Sequence, residues 1–187
     1  MLARAEGAPG RTALDIGCGN GSLVRLASKD FAVIGMDVSA EVVVAARQFA
    51  GLSVFLRGAA EQLPMKDGSL DLIFAQHLIE HLPDPAAALT GWYRALRPGG
   101  RLIVLTPNAR YPDPAIFDAP THIRILEPHS ARALLTAAGF RNLDIKTVFP
   151  YLLGHTVFGL RHMRLFARLP PWSGTGRSLL AVGEKAV

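Results

Sequence analysis

The stretch T-A-L-D-I-G-C-G-N-G, residues 12–21, decides the fold that this sequence predicts. A short apolar run ends beside Asp15, and three alternating glycines (Gly17, Gly19 and Gly21) lead into an amphipathic segment. A strand, a glycine turn and a helix start together bring a polar ligand against bare backbone. Glycine suits the turn because a Cβ would block close approach or strain backbone at positive φ. The stretch therefore predicts a ligand site directly after the first strand.

The spacing of these glycines separates two classes of ligand. The dinucleotide fingerprint G-x-G-x-x-G would place its third glycine at position 22, where this chain has Ser22. The third glycine instead comes one position earlier, which disfavours an NAD-linked dehydrogenase. With Asp15 ahead of it, the motif D-I-G-C-G-N-G resembles motif I of the class I S-adenosylmethionine (SAM)-dependent methyltransferases.

Later stretches extend this resemblance over residues 12–183, and together they are similar to the type-11 branch, which includes quinone-biosynthesis enzymes. The resemblance implies an α/β fold: a Rossmann-like class I methyltransferase sandwich with a seven-stranded, mostly parallel sheet and helices on both faces. The matching stretches are D-V-S at 37–39, A-E-Q-L-P-M-K-D-G-S-L-D-L-I at 60–73, H-L-I-E-H-L-P-D-P at 77–85 and L-R-P-G-G-R-L-I-V at 96–104.

Apolar runs alternate with helical periods along the chain, which predicts a parallel sheet with right-handed crossovers. We expect one domain over residues 1–187, with a flexible lead-in at 1–11, an active-site loop at 106–128 and an insertion between strands six and seven at 150–174. Strands are predicted at 12–16, 31–36, 52–56, 70–75, 101–105, 142–149 and 178–183, and helices at 22–29, 40–50, 86–96 and 128–138. Because the lead-in is short, we expect one of three arrangements: the site is open, a partner covers it, or the chain is part of a longer protein.

Composition sets limits on the class of protein. Half of the residues are apolar and 19% are charged, which is typical of a folded domain. The net charge of +5 favours plain solubility over nucleic-acid binding, and no basic-aromatic platform is evident. A single cysteine, Cys18, excludes an internal disulfide. With no signal sequence or long apolar run, the prediction is a cytoplasmic protein of unknown oligomeric state.

The resemblance also implies which residues contact SAM. Backbone at Gly17 and Gly19 would line its amino-acid part, with Asp15 near the ammonium group. Asp37, followed by Val38, would accept hydrogen bonds from both ribose hydroxyls, which suits a carboxylate because it accepts twice. Ala60 would offer its N–H to the adenine ring, and Gln76 its carbonyl to the ammonium. The family often has an acid where this chain has Ala59, so Glu61 is included as a possible substitute.

A SAM-dependent enzyme mainly aligns donor and acceptor, and it needs a base only when the accepting atom must lose a proton. His122 is the candidate base because this branch often carries a similar His-x-Arg stretch after its fifth strand. The alternative is a loop histidine held by backbone. His81, Tyr111 and Arg124 are candidate substrate contacts, and His81, His77 and Tyr111 are further candidate bases. We expect a small-molecule acceptor, with O-methylation favoured and a lipophilic or acidic acceptor as variants.

Three features of the sequence allow a second interpretation. His77 and His81 flank Glu80 four residues apart, a spacing seen in metal sites, but the stretch matches the family's turn and we predict no metal. The apolar, arginine-containing insertion at 150–174 is either a cover helix that packs on the core, or a lid for a lipophilic acceptor or a surface for peripheral membrane contact. Because Ala59 lacks the family's acid, the chain is alternatively a SAM-binding protein of the same fold without transferase activity.

Overall fold

The structure, a computed structural model, describes residues 10–50, 53–111, 120–150 and 176–187. Its helices are α1 (Ser22–Ala27), α2 (Ala40–Ala50), α3 (Pro85–Ala95) and α4 (Pro128–Ala137), with a 3₁₀ turn at Ile79–His81. Its strands are β1 (Thr12–Ile16), β2 (Ala32–Asp37), β3 (Val54–Arg57), β4 (Leu70–Gln76), β5 (Leu96–Pro107), β6 (Arg141–Pro150) and β7 (Gly176–Glu184).

The described strands form one seven-stranded sheet in the order β3-β2-β1-β4-β5-β7-β6. The pairs among β1 to β5 are parallel, whereas β7 runs antiparallel to both β5 and β6. Successive strands are added outwards from β1 to β3 on one side and from β4 to β5 on the other, so the strand order reverses between β1 and β4. Ligands of open α/β sheets bind at such a reversal, outside the carboxyl ends of the strands. The predicted mostly parallel, Rossmann-like sandwich is confirmed.

Two apolar clusters cover the two faces of the sheet. Side chains alternate across a strand, so Ala13 and Leu14 of β1 point to opposite faces. Ala13 belongs to the cluster that holds Val43 of α2, and Leu14 to the cluster that holds Trp92 of α3. Burial of each helix's apolar stripe against a face supplies the main favourable term for folding. It also fixes the strand ends that carry the site.

Helix α3 begins where its sequence provides both a cap and a preset backbone angle. The Asp84 carboxylate accepts hydrogen bonds from the N–H groups of Ala86 and Ala87 at 3.1 and 3.0 Å. Pro85 follows, and proline suits the first helical position because the N–H that it lacks would have no partner inside the helix. These residues set the orientation of the segment before α3, which carries His81.

Strand β5 differs most from its predicted bounds. The fifth strand was expected at residues 101–105, but β5 begins at Leu96, which pairs with Leu70 of β4. The register then shifts, and Arg101 pairs with Leu72. Sequence pattern placed Leu96 in the preceding helix because its apolar side chain continues the helical period. Pairing with a strand 26 residues earlier in the chain overrides that local signal.

Parts of four predicted segments lie outside the described residues. They are 1–9 of the lead-in, residue 52 of the third strand, 112–119 of the active-site loop and 151–174 of the insertion. Within the loop, Thr106 and Pro107 complete β5, and Asn108 forms a bridge with Leu126. None of the helices in the described ranges has the length and apolar character needed to cross a bilayer.

Candidate functional site

A cavity of about 270 Å³ opens at the carboxyl ends of β1 and β2, beside the reversal of strand order. Its wall combines the glycine turn after β1, the end of β2, the segment after β3 and the 3₁₀ turn. Three predicted cofactor contacts, Asp15, Gly19 and Gln76, are not part of this wall. The predicted site residues that line it are Gly17, Asp37, Val38, Ala60, Glu61 and His81.

The glycine turn presents bare backbone to the cavity. Gly17 has φ of +69°, a conformation that side chains disfavour, and a Cβ there would lie 3.2 Å from Cδ1 of Leu78. The N–H groups of Gly17 and Cys18 both donate to the carbonyl of Met36 in β2, at 2.8 and 3.0 Å. These bonds hold the turn against the end of β2, so the turn is preformed.

Asp37 ties the glycine turn to the start of α2. Its Oδ2 accepts from the N–H of Gly19 at 3.2 Å, and its Oδ1 accepts from the N–H of Ser39 at 3.0 Å. Each carboxylate oxygen can accept more than one hydrogen bond, so both retain capacity for a ligand's hydroxyl groups. Asp37 thus shapes the site and lines it at once.

Asp15 lies behind the turn rather than in the cavity wall. Its side chain is buried in β1, between Gly35 of β2 and Phe74 of β4. Burial, and to a lesser extent the negative charge of Asp37, raise the pKa of Asp15 to about 7. Desolvation disfavours the charged form, and no cation pairs with this carboxyl among the described residues. A cationic ligand group nearby would favour its ionised form.

Cys18, inside the same turn, is not a nucleophile. Burial raises the pKa of its thiol to about 12, with further contributions from the negative charges of Asp15 and Asp37. The thiol therefore stays protonated at neutral pH, whereas thiol chemistry requires the thiolate. Its side chain packs in the cluster on the α1 and α2 face.

Helix α3 holds the segment after β3 in place. The indole Nε1 of Trp92, which is fully buried in α3, donates to the carbonyl of Ala60 at 2.8 Å. The N–H of Ala60 has no hydrogen-bond partner among the described residues, so a donor remains in the cavity wall. The sequence did not predict the role of Trp92, because its partner lies 32 residues away.

Backbone hydrogen bonds join the 3₁₀ turn, which lines the cavity, to the segment around residue 122. The backbone carbonyl of Glu80 accepts from the N–H groups of Ile123 and Arg124, at 2.9 and 3.1 Å. His81 Nδ1 lies 2.8 Å from the carbonyl oxygen of Thr121. The rings of His81 and His122 lie 4.8 Å apart, centroid to centroid. The structure thus brings His122 next to a residue of the cavity wall.

The remaining predicted site residues stay outside the cavity. Tyr111 is exposed, with its N–H 3.3 Å from the carbonyl of Asn108. Arg124 is exposed, and its backbone holds the 3₁₀ turn. Gln76 is exposed at the end of β4, opposite Leu105. Of the three substrate residues predicted from sequence, only His81 lines the cavity.

Glu80 was weighed only as part of a histidine pair, yet it is the most buried polar group near the site. Its side chain has no exposed surface. Its Oε2 accepts from the hydroxyl of Thr106 at 3.0 Å, and its Oε1 lies 3.4 Å from Nδ1 of His77 without forming a hydrogen bond. His77 itself has φ of +50°, so it leaves β4 in a left-handed conformation.

Comparison with known proteins agrees with this geometry. Residues 14–104 match the type-11 family of methyltransferase domains. A protein of Mycolicibacterium smegmatis named a probable SAM-dependent methyltransferase is 35% identical over 144 residues, which are 75% of this chain and 56% of that protein. A ubiquinone biosynthesis O-methyltransferase of Sodalis glossinidius is 32% identical over 114 residues, 58% of this chain and 46% of that protein. Residues 14–104 of this chain thus match a type-11 methyltransferase domain.

Solved structures agree on the fold. A SAM-dependent methyltransferase from Archaeoglobus fulgidus superposes with a TM-score of 0.76 over 98% of this chain and 91% of that chain, at 20% identity. Both the Mycolicibacterium relative and the Archaeoglobus structure are named SAM-dependent methyltransferases, the class that the sequence resemblance implied. The chain spans about half the length of the curated relatives it matches.

Proposed function

We propose that this chain transfers a methyl group from SAM to a small-molecule acceptor, with an oxygen atom as the favoured target. The observation that carries the proposal is the cavity in which the Asp37 carboxylate and the bare Gly17 backbone meet. The sulfonium carbon of SAM is already electrophilic, so SAM supplies the reactivity. The protein's part is to bind, to align the acceptor and to exclude water.

The residues in the wall fit SAM. Asp37 keeps acceptor capacity on both oxygens for the two ribose hydroxyls. Gly17 leaves room for the amino-acid part, because a side chain there would fill the space in front of Leu78. The N–H of Ala60 faces no other described partner and suits a ring nitrogen of adenine. Donors, acceptors and open backbone thus occur where SAM has complementary groups.

Other cofactor contacts in the proposal rest on the family resemblance. Burial raises the pKa of Asp15, and the ammonium group of SAM would favour its ionised form and be attracted by it, together with the carbonyl of Gln76. Gly19 would contact the amino-acid part through backbone. Val38 and Glu61, both in the wall, would flank the ribose and adenine. Glu61 takes the place of the acid that position 59 lacks.

His122 is the proposed base for an acceptor hydroxyl. It contacts His81 ring to ring, and His81 lines the cavity. An imidazole can take a proton near neutral pH, whereas the exposed Arg124 cannot. An oxygen acceptor is favoured because the Sodalis relative is named an O-methyltransferase. Tyr111 and Arg124 remain proposed substrate contacts at the rim, and a cytoplasmic location remains a prediction.

Transfer of labelled methyl groups tests this function. The chain would be incubated with SAM labelled in its methyl group and with phenols, catechols, carboxylates and amines in parallel. We expect label in hydroxyl acceptors. In His122→Ala the rate should fall at least about a hundredfold, because general-base catalysis contributes about that much. The variant's affinity for SAM should stay unchanged.

His129→Ala is the matched control. His129 is an exposed histidine at the start of α4, beside Glu127 at 3.2 Å and away from the cavity. An undiminished rate in His122→Ala would exclude His122 as the base. SAM binding without transfer to any acceptor would instead favour a binding protein of the same fold.

A further inference from the structure

Three potential metal ligands converge beside the cavity, from two distant parts of the chain. Glu80 and His81 come from the 3₁₀ turn, and His122 comes from the segment before α4. One ligating atom of each lies within 4.8 Å of the others. In a tetrahedral site with bonds of about 2.1 Å the ligand atoms are roughly 3.4 Å apart, so binding would draw the most distant pair together by at most about 1.4 Å.

Glu80 supplies an independent reason to expect a ligand there. Its carboxylate is fully buried, Oε2 is engaged by Thr106, and Oε1 has no hydrogen bond. Buried charges in proteins are paired or bind metals, and a buried polar atom without a partner often marks a missing water or ion. The polar atom that lies beside Oε1 in its place is Nδ1 of His77, at 3.4 Å.

The hydrogen bond of His81 matches that of a metal ligand. Its Nδ1 lies 2.8 Å from the carbonyl oxygen of Thr121, which can only accept, so Nδ1 carries the proton and donates. In the neutral ring, Nε2 then holds the lone pair. Histidines that bind metals characteristically donate their other N–H to a carbonyl or carboxylate in this manner. The neighbouring residue His122 adds the second imidazole.

We propose that Glu80, His81 and His122 form a binding site for one divalent transition-metal ion, with Zn²⁺ as the best-suited ion. Two imidazoles and one carboxylate are a donor set of catalytic zinc sites, which keep a fourth position open for water or substrate. Mg²⁺ and Ca²⁺ prefer oxygen ligands and fit this set less well. The site adjoins the cavity because His81 belongs to both.

The ion would serve the acceptor, a role that rests on the proposed function. An acceptor hydroxyl in the open position would lose its proton to solvent more easily, because a bound cation stabilises the oxyanion. An oxygen lone pair then forms the bond to the methyl carbon, and the S–CH₃ bond breaks with its electrons left on sulfur. The products are a methyl ether, S-adenosylhomocysteine and a proton. In the loaded protein His122 is a ligand, and the ion takes over the role that His122 has as base in the metal-free chain.

Calorimetric titration with Zn²⁺ tests the site on the full chain after treatment with a chelator and without SAM. We expect one equivalent to bind. His81→Ala and His122→Ala should each weaken binding at least about tenfold, since even the loss of a supporting residue costs that much in metal sites. His129→Ala, which removes an exposed histidine next to a carboxylate, should bind Zn²⁺ like the unmodified chain.

Equal affinity in the two histidine variants, or no saturable binding to the unmodified chain, would overturn the inference. Glu80→Gln should also lose affinity, but Glu80 is buried and its variant needs a folding check by circular dichroism. His81 and His122 are only partly buried, so their alanine variants keep the test valid if Glu80→Gln does not fold.

A second titration separates this inference from the proposed function. Zn²⁺ binding with no SAM binding would leave the metal site standing and overturn the methyltransferase proposal. SAM binding with no Zn²⁺ binding would overturn the metal site and leave the methyltransferase proposal standing. If both bind, removal of Zn²⁺ by chelator should lower the transfer rate at least about tenfold, and an unchanged rate would remove the ion from the reaction.

Discussion

Asp71 and Asp15, at opposite ends of the central strands, lie in contrasting environments. At the amino ends, Asp71 of β4 accepts from the N–H of Thr12 at 2.9 Å and forms ion pairs with Arg97 and, at 3.9 Å, with Arg11. At the carboxyl ends, Asp15 has no cation partner among the described residues, and its pKa is raised to about 7 by burial. The arginines thus balance the charge of Asp71 within the chain. In the described part of the chain the charge of Asp15 is left without a counterpart, so a bound ligand can change it.

This difference separates stability from binding. Arginines at the amino ends pair with Asp71 within the chain, so its charge is balanced without a ligand. At the carboxyl ends, the partners of the Asp37 carboxylate among the described residues are the backbone N–H groups of Gly19 and Ser39, which fix its position without a cation. Sites of this kind commonly keep perturbed charges for function. We therefore expect substitutions at the carboxyl ends of the strands to change ligand binding. Substitutions at the amino ends should change stability slightly.

The largest effect is expected for Asp37→Ala. Two hydrogen bonds from ribose hydroxyls to a carboxylate contribute about 1.5–3 kcal/mol each, so SAM affinity should fall at least about a hundredfold. Calorimetry measures the loss directly. Asp67→Ala, which removes an exposed carboxylate paired with Arg94, is the control and should leave affinity unchanged. An Asp37→Ala chain with near-normal affinity would show that the ribose assignment is wrong.

Asp15→Asn should remove a pH dependence of stability. The folded pKa is about 7 and the unfolded value is 3.8, so the folded chain retains an extra proton between them. The stability that this proton confers is complete at low pH and is lost as the pH rises through 7. From pH 5 to 8 the native chain should lose roughly 2–3 kcal/mol relative to Asp15→Asn, measured by urea denaturation. Parallel curves would mean that Asp15 is ionised throughout.

Gly17→Ala should lower SAM affinity about tenfold. The new Cβ would lie 3.2 Å from Leu78 Cδ1 at the cavity wall, and left-handed backbone costs a non-glycine residue about 1–2 kcal/mol. Gly68→Ala is a matched control because Gly68 has φ of +65° and open space around it. Both variants should lose similar stability, and only Gly17→Ala should lose affinity. Equal affinities would place SAM away from this turn.

Arg97→Ala should have the smallest effect. Its side chain is about half exposed, and Asp71 keeps Arg11 and the N–H of Thr12 as partners. We expect a loss below about 1 kcal/mol in the free energy of unfolding and no change in SAM affinity. Denaturation and calorimetry on the same preparation measure both. A loss of affinity would show that the two ends of the strands are coupled, contrary to the comparison.

Local signals predicted the parts of the fold that local chemistry determines. The strand at Thr12–Ile16 and the turn at Gly17 followed from an apolar run that meets glycines with positive φ. The carboxylate Asp37 at the end of β2 followed from family resemblance and strand position. In each case the residues that cause the feature lie within a few positions of it.

Features that depend on distant pairing were not predictable in this way. The start of β5 at Leu96 depends on Leu70, and the cavity wall at Ala60 depends on Trp92. The contact between His81 and His122 joins residues 41 positions apart. No periodicity or spacing in the sequence encodes such a distance, because it arises only when the strands are assembled in register.

The most direct test of the account is calorimetric titration of the chain with SAM, S-adenosylhomocysteine and NAD in parallel. The account predicts saturable one-to-one binding of SAM and S-adenosylhomocysteine, and none of NAD, because the glycine spacing and the cavity beside Asp37 suit the first two. Binding of NAD, or a lack of binding by both SAM and its product, would contradict the assignment of the cavity.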